Sequence, residues 1–130
     1  MRAVLAALAL VISVAACSDI TGPGSTGTYD LETVNGRSLP FVVRSEIGYR
    51  LELTRSTLTL ERDGSYTSTF TWRETENGQS FTDTERYSGT YERRGDDLWL
   101  YDDFDGSTTE AYWQGNRLVV LGEGVTYEYR

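Results

Sequence analysis

The sequence predicts an all-β domain: an antiparallel up-and-down meander of eight or nine strands, curled into a small barrel behind a helical signal peptide that is cleaved. Three observations carry this. From Thr28 onward apolar and polar residues alternate with period two, with Thr, Tyr and Val abundant, the pattern of half-buried strands. Dipeptides that accept positive φ recur at short intervals, at Asp63-Gly64, Asn77-Gly78, Asp105-Gly106 and Gly115-Asn116. No stretch after residue 28 has the spacing of an amphipathic helix. Sequential hairpins make a meander, and a long meander gains by closing because closure removes exposed strand edges.

The N-terminal segment reads as a sorting device. One positive charge at Arg2 precedes an apolar run from Ala3 to Ile12, then Ser13, Val14, Ala15, Ala16 and Cys17. That is a signal-peptide layout, and the apolar run falls short of the roughly 20 residues that span a bilayer. Val14-Ala15-Ala16-Cys17 resembles the bacterial lipoprotein lipobox. The resemblance implies cleavage after residue 16, with Cys17 as a lipidated N-terminus and the membrane as its partner through that lipid. Two or three acyl chains hold where a single chain is marginal. The chain has one cysteine, so no disulfide competes for it.

Residues 17–27 carry the lipidated cysteine and a Gly/Ser/Thr/Pro-rich linker, and residues 28–130 form the domain. Among lipoproteins of diderm bacteria, aspartate directly after the cysteine marks inner-membrane retention. Here Ser18 holds that place, so the resemblance favours the outer membrane, on its periplasmic side or at the cell surface. The precursor carries 12 basic and 20 acidic residues, net -8, and losing Arg2 makes the mature chain more negative. Every basic residue is arginine. Such a domain repels polyphosphate and anionic lipid surfaces, which excludes nucleic acid as an expected partner.

Strands are expected at about 28–34, 47–54, 57–62, 65–74, 80–92, 97–102, 108–114, 117–121 and 124–129. Their parity assigns an interior: Tyr49, Leu51 and Leu53; Leu58 and Leu60; Tyr66, Phe70 and Trp72; Tyr87, Gly89 and Tyr91; Leu98 and Leu100. In the second half both parities are apolar, with Trp99 and Tyr101 opposing Leu98 and Leu100. The stretch Leu39-Pro40-Phe41-Val42-Val43 is expected to cover that outer wall or close one end of the barrel.

Gly27-Thr28-Tyr29-Asp30-Leu31, continuing to Val34-Asn35-Gly36 and Leu39-Pro40, resembles the opening of lipocalins and their bacterial lipocalin-like relatives. Tyr29 stands where that family has tryptophan. The resemblance implies a cavity for a small apolar ligand, and a basic residue near the barrel's end, here Arg130, stacked on Tyr29.

Catalytic chemistry is scarce. Histidine is absent and the one cysteine is assigned to lipid, so the commonest general base, the usual zinc ligands and a thiol nucleophile are missing. No enzyme, metal or cofactor is expected. Asp102-Asp103-Phe104-Asp105-Gly106 invites calcium, but the EF-hand spacing fails and a solvated hairpin tip is favoured. Asp83 and Glu85 share parity with Phe81 and Tyr87, which sets two acids in the barrel mouth as a glycosidase-like pair or, by preference, at its rim or flipped outward by a bulge. The candidate ligand-binding residues are Tyr49, Tyr66, Trp72, Tyr87, Tyr91 and Tyr127, which line a pocket or fill the core. Two functions follow. One is a membrane-anchored envelope lipoprotein whose barrel binds a small apolar or amphiphilic ligand. The other is a filled barrel acting as a structural or interaction module, showing Trp99, Tyr101 and Tyr112 to an envelope protein partner.

Overall fold

The computed structural model describes residues 26–130; the expected signal peptide, Cys17 and the linker up to residue 25 lie outside the described residues. Ten strands follow one another: β1 (Gly27–Val34), β2 (Arg37–Ser38), β3 (Phe41–Glu46), β4 (Tyr49–Leu60), β5 (Ser65–Glu76), β6 (Gln79–Arg94), β7 (Asp97–Asp102), β8 (Thr108–Gln114), β9 (Arg117–Leu121) and β10 (Thr126–Tyr129). β4 to β10 form an antiparallel meander, β10 pairs with β1, and β1 pairs back with β4, Tyr29 opposite Leu58. The result is a closed eight-stranded barrel. Its seam is complete at one end only, where residues 27–30 of β1 face residues 57–60 of β4. Beyond that β1 turns to pair with β2 and β4 with β3, so these two short strands form the lips of a split wall.

The two strands expected at 47–54 and 57–62 are one. Between them the register slips from Leu53↔Trp72 to Arg55↔Thr71, a bulge that reverses parity without reversing direction. Leu53 and Ser56 are therefore both buried, and the barrel has eight strands, not nine. A second bulge, between Leu31 and Thr33, puts Leu31 and Val34 together in the core. Phe41 to Val43 do not cover the outer wall. They begin β3, beside β4, with Leu39 and Phe41 packed on the core and Val42 and Val43 exposed. The apolar outer face is shielded by polar chains of its own sheet. Arg94 lies over Trp99 at 5.5 Å, and the Tyr101 hydroxyl donates to Glu92 at 3.2 Å.

Turn chemistry places the hairpins. Asn35-Gly36 and Asn77-Gly78 have positive φ at both residues, as tight two-residue hairpins require. The loop after β4 differs from the two-residue turn expected at Asp63-Gly64. Glu61 N donates to Ser65 O and Gly64 N to Glu61 O, giving three loop residues with Gly64 at φ 86°, the arrangement of a turn followed by a glycine bulge.

The seamed end is packed solid. Leu58, Leu60, Leu98, Leu118, Trp113 and Tyr129 fill it, and the Arg93 guanidinium lies 4.6 Å over the Trp113 ring. Arg130, expected on Tyr29, reaches Glu32 at 3.4 Å. At the opposite end the wall is uneven. β7 meets β6 only from Gly89 to Arg94, so residues 79–87 pair with β5 alone and β3, β4, β5 and β6 project past the short strands as an apron. No bulge interrupts the β5/β6 register. The barrel's inner face therefore runs without a break onto the apron.

Candidate functional site

Where the packed floor ends, an open cavity of about 250 Å³ begins, lined by Tyr66, Ser68, Phe70, Tyr87, Leu100, Val120 and Tyr127, with Asp102 and Asp105 at its edge. Alternation puts these side chains inside: 66, 68 and 70 are successive inward positions of β5, and Tyr87 is an inward position of β6. An adjoining cleft of about 360 Å³ lies on the apron, between Tyr49, Leu51, Trp72, Glu74, Phe81, Asp83 and Glu85.

An aromatic cluster joins the two. The Phe70 and Trp72 rings stack at 6.2 Å, and Phe70 meets Tyr87 and Tyr127 edge-on, each at 5.9 Å, geometries that suit aromatic quadrupoles. Glu85 is fastened to this cluster. Trp72 Nε1 and the Tyr87 hydroxyl both donate to Glu85 Oε2, at 3.1 and 3.0 Å. That bond and burial push the Tyr87 phenol above its ordinary range. Burial, then the charges of Asp102, Asp103 and Asp105, push Tyr66 up to about 12, and burial raises Tyr127. Near the floor the Tyr129 hydroxyl shares a 2.8 Å hydrogen bond with Ser56.

The six aromatic candidates separate into three places. Tyr66, Tyr87 and Tyr127 line the cavity. Tyr49 and Trp72 line the cleft. Tyr91 lies toward the packed end, its hydroxyl donating to the Glu61 carbonyl at 2.6 Å. Asp83 and Glu85 stay on the inner face, at the apron's cleft. The residues that parity reasoning left aside are Ser68, Asp102 and Val120. Ser68 and Asp102 fall on inward positions of strands already placed, so the signal was present but their polarity hid it.

The acidic tip after β7 is built from its own backbone. Asp102 Oδ1 accepts from the amides of Phe104 and Asp105, and Asp105 Oδ1 accepts from Ser107 N at 2.8 Å. Hydrogen bonds from Ser107 hold the Asp105 carboxyl below its usual range. Among the described residues no group of three or more potential ligands is arranged to hold a metal ion.

No protein-family model and no curated protein matches the sequence. Among solved structures the chain is similar to the Cpx pathway activator NlpE from Escherichia coli, at 26% identity and a TM-score of 0.38. The similarity covers 62% of this chain and 39% of that one.

Proposed function

We propose that this protein is a membrane-tethered envelope lipoprotein whose lipocalin-like barrel takes a small apolar or amphiphilic molecule in its open end. The observation that carries the reading is the aromatic-walled cavity above a packed floor, a shape that receives a ligand's apolar part and ends blindly. Its volume is close to the lower end of ligand pockets, roughly 300 Å³, so the ligand is small or leaves part of itself on the apron.

The lipobox-like residues before Cys17 support the tether, and Ser18 after it supports an outer-membrane address. β1 enters at the packed end, so the tether meets the domain opposite the cavity. Labelling cells with radioactive palmitate tests the tether: label is lost in Cys17→Ala, and label that survives refutes it. Native mass spectrometry of the unacylated protein from its own periplasm tests the ligand: a retained small molecule supports the reading, and displacement of nothing on unfolding counts against it.

A second reading, docking of an envelope protein, is favoured by one feature. Ile47 and Phe104 are almost fully exposed at hairpin tips on the open end, and Phe81 is exposed on the apron. In that case the mass spectrum carries a polypeptide in place of a small molecule.

A further inference from the structure

The open end combines two chemistries, and the combination names the ligand's charge. Above the apolar floor lies the aromatic cluster of Phe70, Trp72, Tyr87 and Tyr127, and carboxylates stand among and around it, Glu85 opposite Phe70 and Asp83 opposite Trp72. Glu74, Asp83 and Glu85 stand on the apron side, and Asp102 and Asp105 on the other. No arginine lines the cavity or the cleft. Several guanidinium groups are engaged elsewhere, Arg50 and Arg73 on Glu52, Arg93 on Trp113, Arg94 on Trp99 and Arg117 on Glu128, and Arg44, which reaches the rim at Tyr49, is paired to Glu46.

We propose that the ligand is a cationic amphiphile, with an ammonium or guanidinium head held at Glu85 between Trp72 and Tyr87 and an apolar tail in the cavity beneath. The inference rests on the reading that the open end takes an amphiphile, and adds the sign of its head. Acidic side chains alone are a solvated rim; the aromatic wall turns these into a site. Ring faces attract cations, more strongly where water is displaced, and a carboxylate beside them supplies the countercharge. Glu85 is held in place for this, because both aromatic donors use Oε2 and Oε1 is left to accept from a ligand. The rim already shows the interaction once, since Arg44 lies over the Tyr49 ring at 5.5 Å while paired to Glu46 at 2.7 Å. A fatty acid or alkyl sulfate would set its anion among like charges, a cost that selects against it.

The test uses the mature chain carrying Cys17→Ser, which removes the lipid alone, and isothermal titration with three probes of equal tail below their micelle concentrations: octyltrimethylammonium, octyl glucoside and octyl sulfate. The cation binds at least tenfold more tightly than the neutral probe and the anion binds most weakly. Glu85→Gln removes most of the cation's advantage over octyl glucoside, and a far-ultraviolet circular dichroism spectrum and urea midpoint matching the parent show that the variant is folded. Equal affinity for cation and neutral probe, or a cation affinity within twofold of the parent in Glu85→Gln, overturns the proposal and leaves the cavity reading standing. If none of the three binds, both fall.

Discussion

The buried hydrogen bond between Ser56 and Tyr129 is the sharpest point at which to test the barrel's packing. The two hydroxyls meet at 2.8 Å inside the barrel, joining β4 to β10 across 73 residues of sequence, with both residues no more than 2% exposed. A Tyr129→Phe change keeps the ring and removes one partner, so the Ser56 hydroxyl is left in an apolar interior, at a cost of about 1 to 3 kcal/mol. Ser56→Ala leaves the phenol with Ser68 as its remaining hydroxyl partner, so it should cost less. Removing both hydroxyls strands neither, so the double variant is expected to lose about 1 kcal/mol less than the sum of the singles. Urea denaturation of the three variants, read by far-ultraviolet circular dichroism, measures this directly. The alkaline limb gives a second reading of the same pair. Burial raises the Tyr129 phenol from 10.0 to about 12. The folded state therefore keeps its proton where the unfolded chain loses it. Stability is intact below pH 10 and falls as pH rises toward 12, by about 3 kcal/mol from this group. Tyr129→Phe should flatten that limb. Strictly additive single variants, or an alkaline loss unchanged in Tyr129→Phe, would refute a buried, bonded Tyr129.

Other consequences are open to the same denaturation assay. A Cβ on Gly89 would lie 1.8 Å from the Tyr101 carbonyl and 2.8 Å from the Tyr66 ring; backbone must move, and Gly89→Ala should cost about 2 kcal/mol or more, a loss under about 0.5 showing that β6 and β7 are not so close. Trp72 is half-buried on the cleft, so Trp72→Ala should cost about 1 to 2 kcal/mol, well below the roughly 3 to 5 of a fully buried aromatic; a loss in that higher range would place it in the core. The Arg73 hydrogen bond, aided by Arg50, holds the Glu52 carboxyl below its ordinary 4.5, so this pair's stability is present above pH 4.5 and lost as pH falls through the lowered value. Arg73→Gln should shrink that acid loss, and an unchanged acid limb would argue against the pair.

Much of this protein is legible in its sequence because strand alternation and turn chemistry are local. Tyr66, Phe70, Trp72 and Tyr87 announce one face by spacing alone, and glycines after Asn77, Asp105 and Asp63 mark where the chain turns back. The tertiary structure decided what depends on pairing between distant residues. Nothing near Thr54 distinguishes a bulge from a turn; only continuous pairing of β4 with β5 on both sides of it shows that parity reverses while direction does not. Nothing in β6 says that its first half has a neighbour on one side only. That follows from β7 ending at Asp102, and it creates the apron. The gathering of Phe70, Tyr127 and Glu85 into one site likewise depends on closure of the barrel through β10 and β1, which brings residues more than forty positions apart into ring contact. Local periodicity fixes which way a side chain points, but register and closure fix what it meets there.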